Sequence, residues 1–213
     1  NFFIDILYFI KIKKTIDRKT NKMYNIERKR ITKSWKKVTL FKLNFSIRKG
    51  WNTRMKKRVL FISSTGGHFN ELQQLQPLFE KYDYHIITEK DKANENLKNQ
   101  YGEKIDFLPY GTRAKLFTYI FKYFYLCLKT IYFYFKLRPK VIVTTGTHTA
   151  GPMCYLGKIF GSKIIYIETF ANRNRKTATG RLVYPIADLF IVQWEELLKI
   201  YPKAVYGGAI YWY

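Results

Sequence analysis

Acidic residues are scarce in this chain. Its 213 residues hold 15 Asp and Glu against 39 Lys and Arg, a formal net charge of +24. Such a surface attracts phosphates, whether of nucleic acid, anionic lipid or a charged substrate, and charge alone does not choose among them. Cysteine is scarcer still: Cys127 and Cys154 lie far apart in apolar surroundings, which fits a reduced setting better than a disulfide framework. His68, His85 and His148 fall in separate segments with no ligand spacing, so no metal is expected. Motifs are missing too. A dinucleotide fingerprint aligned on Gly66 needs glycines where Ser64 and Phe69 stand, no Gly-Lys-Ser/Thr follows for a Walker A loop, and no G-x-S-x-G elbow marks a serine hydrolase. Apolar residues, by contrast, make up 47% of the chain, ample for a packed core and too many for a disordered tail.

The charge is unevenly spread. Residues 1–54 carry 16 Lys and Arg against 3 Asp and Glu, a net of +13, which leaves +11 for the rest. Their apolar clusters, "FFIDILYFI" and "VTLFKLNF", fall short of the roughly 20 residues that span a bilayer, and no signal-peptide cleavage site follows them. Met55 is followed at once by "KKRVLFISSTGGH", which reads as a natural domain start. Two units are therefore expected: a basic extension over 1–54, dispensable or not native to the domain, and a domain over 55–213.

Within that domain, short β-rich runs alternate with helical patterns: "RVLFIS", "DYHIIT", "KIDFLP", "KVIVTT", "KIIYIE" and "LFIVQ". Continuous apolar runs bounded by polar residues suit strands buried on both faces, and helical spacers between them imply a parallel sheet. The expected fold is a single α/β, Rossmann-like, doubly wound domain. Ligands of such sheets bind at the carboxyl ends of the strands, so function is expected in the loops near Ser63, Thr88, Pro109, Thr145, Glu168 and Gln193.

Two of those loops carry glycine beside Thr and His. In "SSTGGHFNEL", Gly66 and Gly67 can take positive φ and let backbone N–H groups approach an anion, and a helix is expected from about Asn70. In "TTGTHTAGPM", Gly146, Thr147, His148 and Thr149 repeat the design. Glycines after strands also make plain tight turns, but two such loops on one sheet edge suggest a diphosphate or a bulky phosphorylated ligand.

The stretch "AKLFTYIFKYFYLCLKTIYFYFKLRP", residues 114–139, is aromatic nearly all round, with Lys115, Lys122, Lys129 and Lys136 seven residues apart. A heptad step drifts only about 20° on a helix, so the four lysines share one narrow face. A helix covering a sheet needs far less apolar surface. The surplus, tipped with Tyr and flanked by snorkelling Lys, suits a helix lying in the plane of a membrane surface, and the lysines argue against a span.

Together, "STGGHFNELQQL", "VIVTTGTHTAGPM", "IIYIETFANRNRKTATGRLVYPIADLFIVQWEEL" and "YPKAVYGGAIY" resemble the membrane-anchoring subunit of the two-part UDP-N-acetylglucosamine transferase of N-glycan assembly. They resemble still more its bacterial counterparts in capsular and exopolysaccharide synthesis, the enhancer proteins of β-1,4-galactosyltransferases. The resemblance covers Lys57 to Tyr211. It implies the acceptor-binding, N-terminal half of a GT-B glycosyltransferase, with the UDP-sugar donor on a separate catalytic chain and no cofactor bound by this one. It also implies an inverting transfer to a lipid-linked pyrophosphate saccharide, at the cytoplasmic face of a membrane, by a non-autonomous subunit. On that basis Thr65, Gly66, Gly67 and His68 border the acceptor's pyrophosphate, and Gly146 and Thr147 complete the cradle. The family commonly has a Gly-Pro/Ala-Gly-Thr-like run there, whereas this chain reads "TGTHTAGP". His68 or Glu168 is the candidate base, and Arg173 and Arg175 could pair with phosphates through forked hydrogen bonds.

Two other classes compete. A basic nucleic-acid-binding module fits the charge and the aromatic content, although the aromatics cluster on a helix and not on a strand face. A stand-alone nucleotide-sugar transferase fits the glycine loops but requires a second Rossmann unit, for which the domain is too short.

Overall fold

The structure, a computed structural model, describes residues 2, 3, 5–7, 58–79, 81–110 and 116–211. All of the extension except residues 2, 3 and 5–7, together with Met55 and Lys115, therefore lies outside the described residues. Seven parallel strands form one sheet in the order β3-β2-β1-β4-β5-β6-β7. They are β1 (Arg58–Ile62), β2 (Asp83–Glu89), β3 (Ile105–Leu108), β4 (Val141–Thr144), β5 (Lys163–Ile167), β6 (Leu189–Val192) and β7 (Val205–Tyr206). The first six are the apolar runs of the sequence. The two-residue β7 pairs beyond β6 and is too short to leave a pattern.

From Gly67 onward six α-helices are described: α1 (Gly67–Gln73), α2 (Gln76–Phe79), α3 (Leu97–Tyr101), α4 (Leu116–Leu137), α5 (Ala150–Ile159) and α6 (Ala178–Val183). Side chains alternate across each strand, so the sheet feeds two cores. Val59, Phe61, Val143 and Ile165 pack with Phe69 and Leu72 from α1 and Leu78 from α2. Leu60, Ile62, Ile142 and Ile164 pack with Phe133, Met153 and Val183 from α4, α5 and α6. Strand order reverses between β1 and β4, which pair in parallel from Val59↔Val141 to Ile62↔Thr144, with β2 on the other side of β1. Such a switch point opens a crevice at the carboxyl ends of the two strands.

Two details go beyond the sequence reading. At the start of the extension, residues 2, 3 and 5–7 are helical, and Phe2, Phe3, Ile6 and Leu7 are buried in the first core. Phe2 meets Tyr82 edge-on at 4.6 Å, and Tyr82 OH donates to Asp5 Oδ2. Apolar residues in a basic stretch of sequence found a sheet face to cover. The helix of the first glycine loop begins at Gly67, three residues before the expected start, because Asn70 N–H already bonds the Gly66 carbonyl at 3.0 Å.

The aromatic helix α4 buries Leu126, Phe133, Tyr134 and Leu137 and turns a second apolar face outward, where Phe121 is 62% and Phe124 64% exposed. Lys122, Lys129 and Lys136 run along one border of that outward face. Lys129 Nζ lies 5.5 Å from the Tyr125 ring centre and Lys136 Nζ 5.8 Å from that of Tyr132. Lys136 also reaches Asp106 Oδ2 at 3.4 Å. Among the described residues no helix is long and apolar enough to cross a membrane.

Candidate functional site

The two glycine loops meet at the switch point. Gly66 holds φ 73° and Gly146 φ 106°, conformations that favour glycine. Gly67 is instead the first residue of α1 and keeps ordinary helical torsions. His68 and Thr145 clasp the loops together: the His68 ring bonds the Thr145 carbonyl through Nδ1 at 2.8 Å, and Thr145 Oγ1 donates to the His68 carbonyl at 2.7 Å. A carbonyl only accepts, so Nδ1 carries the hydrogen and the neutral ring keeps its lone pair on Nε2. Burial lowers the His68 pKa, and the hydrogen bond to Thr145 only partly offsets this. A Cβ on Gly146 would come within 3.0 Å of Tyr166 OH and 3.5 Å of His68 Cε1.

Beside His68 opens a cleft of about 370 Å³, lined by His68, Thr147, His148, Tyr166, Thr169 and Thr177, with Ala178 and Thr179 at the start of α6. Its polar groups are hydroxyls and imidazoles. Thr147 sits at φ 102°, an unusual place for a β-branched residue, and its buried Oγ1 makes no hydrogen bond among the described residues. Behind it, Glu89 at the end of β2 accepts from Thr149 Oγ1, and His148 Nε2 stands 3.3 Å from the same carboxylate oxygen. Burial raises the Glu89 pKa, with the Thr149 and Thr65 hydrogen bonds acting in the opposite direction.

Of the residues expected from sequence, His68 and Thr147 line this cleft, with Gly146 beneath them. Thr65 lies at the loop's start, where its Oγ1 accepts from Asn94 Nδ2 at 2.8 Å. Glu168 is not among the residues that line the cleft. It is fully buried, and its oxygens accept from Thr177 Oγ1 at 3.0 Å, Tyr201 OH at 3.1 Å and Thr169 N–H at 3.1 Å. It braces the cleft wall from behind. Arg173 is turned away as well: it donates to Glu196 Oε1 at 2.7 Å and lies 5.0 Å over the Trp194 ring, because these partners hold the guanidinium on the outer side. Arg175 is exposed outside the cleft, and its carbonyl accepts from Asn172 Nδ2.

Other groups escaped the sequence reading. Glu71 of α1 accepts from Thr169 Oγ1 at 2.8 Å and Phe170 N–H at 2.9 Å, tying the His68 helix to the loop after β5. Burial pushes its pKa up to about 7, against those two hydrogen bonds. Thr177 caps α6 by accepting from Gly180 N–H at 3.0 Å, and the Thr-x-x-Gly spacing before an apolar run was the available signal.

Residues 59–210 match the family described as "Oligosaccharide biosynthesis protein Alg14 like". The chain belongs to the Alg14 family. Relatives named UDP-N-acetylglucosamine transferase subunit ALG14 include that of Kluyveromyces lactis, 55% identical over 23% of this chain and 21% of its own length. The Candida albicans relative is 43% identical over 35% of this chain and 37% of its own. The chain therefore spans under two fifths of these fungal relatives in the matched stretches. The human relative is 25% identical, over 71% of this chain and 82% of its own length. Among solved structures, MurG of Acinetobacter baumannii superposes with a TM-score of 0.53 at 15% identity, over 66% of this chain and 42% of that one. A UDP-GlcNAc 2-epimerase of Methanocaldococcus jannaschii does so with 0.53 at 14%, over 67% and 42%. The Alg14-family domain thus has the Rossmann-like fold of GT-B glycosyltransferases and epimerases.

Proposed function

We propose that this chain is the acceptor-binding, membrane-recruiting subunit of a heteromeric UDP-sugar glycosyltransferase, acting on a lipid-linked pyrophosphate saccharide. The observation that carries the reading is the cleft at the β1/β4 switch point, built in an Alg14-family domain from both glycine loops. The relatives are named as subunits of a UDP-N-acetylglucosamine transferase, so the donor is assigned to a partner catalytic chain. The capsular or exopolysaccharide setting rests on the resemblance carried by the four segments between Lys57 and Tyr211.

In this reading the loops at Thr65, Gly66, Gly67, Gly146 and Thr147 offer backbone N–H groups and hydroxyls to the pyrophosphate. Arg175, and Arg173 once released from Glu196, supply cations at the rim. The acceptor's hydroxyl enters beside the cleft imidazoles, and Glu168 holds the Thr177 wall in place. The outward face of α4, bordered by Lys122, Lys129 and Lys136, lies on the membrane so that the lipid carrier need not leave it.

The test is reconstitution of the full chain with its catalytic partner on liposomes carrying a lipid-pyrophosphate saccharide, with labelled UDP-N-acetylglucosamine as donor. Product is expected only when both chains are present. Turnover by this chain alone, or full-rate transfer by the partner alone, contradicts the reading.

A further inference from the structure

At the end of the sheet opposite the cleft, α4 leads through Arg138 and Pro139 toward β4, and α5 leads through Phe160, Gly161 and Ser162 toward β5. Between these two turns lies a second cavity of about 250 Å³, walled by Tyr134, Phe135 and Phe160 and flanked by Arg138 and Lys140. We infer that it is a headgroup site for an anionic phospholipid: the phosphate sits between the two cations, and the acyl chains leave past the exposed Phe135 and Phe160 rings. This rests on the membrane part of the reading above and not on the transfer step.

Charge and backbone both point to an anion. Arg138 and Lys140 are exposed, and among the described residues neither side chain is paired with a carboxylate. The acids at this end of the sheet are taken by other cations: Asp188 by Lys158 at 3.2 Å and Lys163 at 2.8 Å, and Asp83 by Arg58 at 2.8 Å. Arg138 also holds φ 45°, where its N–H closes the end of α4 on the Tyr134 carbonyl at 2.7 Å. Glycine or asparagine usually occupies such a left-handed helix end, and a larger residue persists there only where the surroundings enforce it. They do so here. Arg58 Nη1 donates to the Leu137 carbonyl at 2.9 Å and Ser162 Oγ to the Pro139 carbonyl at 2.6 Å. With its one hydrogen spent on Pro139, Ser162 Oγ accepts from Tyr134 OH at 3.0 Å, which fixes the back wall of the cavity.

The apolar surroundings point to a lipid. Phe121, Phe124, Leu128, Ile131 and Phe135 are all exposed and recur at steps of three and four, so they form one stripe along α4. That stripe ends in the cavity, because Phe135 is one of its walls. Phe160 continues it, packed edge-on against Phe135 at 5.1 Å and still 53% exposed beside Ile159 at 74%. A membrane that meets the outward face of α4 therefore also meets the mouth of the cavity. Two unpaired cations at that mouth favour an anionic headgroup over a choline, whose own cation they would repel. The place matters for the fold, since α4 runs about 33 Å from the carboxyl end of β3 to the amino end of β4. A lipid held at its far end keeps the helix flat on the surface, and with it the level of the cleft at the other end.

The experiment uses the full chain alone. A short-chain phosphatidylglycerol, kept below its micelle concentration, is titrated calorimetrically into the parent protein and into Arg138→Asn, Lys140→Gln and Lys90→Gln. Asparagine tolerates the left-handed conformation, so Arg138→Asn removes the charge with Tm unchanged or raised, and lost binding is then not lost folding. Arg138→Asn and Lys140→Gln are each expected to weaken binding roughly fivefold. Lys90→Gln removes an equal charge from the exposed residue that follows β2 at the cleft end and should leave binding unchanged. No saturable binding by the parent, equal affinity for glycerol 3-phosphate, equal displacement by a single-stranded oligonucleotide, or equal weakening in all three variants overturns the site. Co-sedimentation with phosphatidylglycerol vesicles separates this from the reading beneath it. Vesicle binding that is the same in the parent and Arg138→Asn refutes the headgroup site and leaves α4 on the membrane. Binding of the soluble lipid without binding of vesicles refutes the membrane placement of α4 and leaves the cavity as a phospholipid site.

Discussion

Glu71 and Thr169 join the helix that carries His68 to the loop that closes β5, Thr169 Oγ1 donating to Glu71 Oε1 over 2.8 Å. The other carboxylate oxygen, Oε2, is buried without a hydrogen bond among the described residues. An ion with half its acceptors unused is costly to bury, which is why the Glu71 pKa is pushed up to about 7.

The sign of the resulting pH dependence follows directly. A carboxyl whose folded pKa exceeds its unfolded value binds more protons when folded, so its contribution is full below the unfolded pKa and is lost as pH rises through about 7. Glu71→Gln keeps an acceptor for Thr169 and Phe170 and removes the ionisation. Its Tm should exceed that of the parent at pH 8 by about 2–4 °C and converge with it near pH 5. Melting curves at the two pH values check this, and parallel curves would refute it.

Gly180 explains why the cleft wall tolerates no side chain at one point. A Cβ there would stand 2.4 Å from Glu168 Oε2, 2.6 Å from Thr177 Oγ1 and 2.7 Å from Tyr201 OH. These three atoms form the network that braces Thr177. Gly180→Ala should lower stability by about 1–3 kcal/mol, read as a shift of the urea midpoint. A neutral result would mean that the network repacks freely.

These groups also mark how far the sequence could be read. The six long strands were legible because strands buried on both faces are continuous apolar runs, and the switch-point loops followed from their ends. The two residues of β7 leave no period. Glu168 was legible as a carboxylate at a strand end, but whether it faces the cleft or its wall depends on Thr177 and Tyr201, distant in sequence. Arg173 looked like a phosphate ligand because its partner Glu196 lies 23 residues on. Glu89 beside His148 and Glu71 beside Thr169 are contacts between loops that no local pattern encodes.

The outward face of α4 gives a prediction about membranes. Phe121, Phe124 and Leu128 are exposed next to Lys122 and Lys129, an arrangement that joins apolar insertion to attraction for anionic lipid. The double change Lys122→Glu, Lys129→Glu should weaken binding to phosphatidylserine-containing liposomes by about tenfold or more, near 1 kcal/mol per charge. Phe124→Ser should weaken binding to neutral liposomes as well. Co-sedimentation at low and high salt separates the two terms. Binding unaffected by either change would move the contact off α4.

The first residues of the chain give the last prediction. Phe2, Phe3, Ile6 and Leu7 are buried against the sheet face that carries Phe61 and that Phe79 also covers, and Phe2 lies 6.4 Å from the Phe61 ring. Burial of that kind is worth far more than the surface charges around it, because each large apolar side chain removed from a core costs about 2–5 kcal/mol. Phe2→Ala combined with Ile6→Ala should therefore lower Tm clearly, and a chain beginning at Met55 should melt lower still and expose apolar surface to a hydrophobic dye. If the shortened chain melts with the full one, the basic extension is dispensable after all, and the contacts of its first turns with Phe61 and Tyr82 contribute nothing to stability.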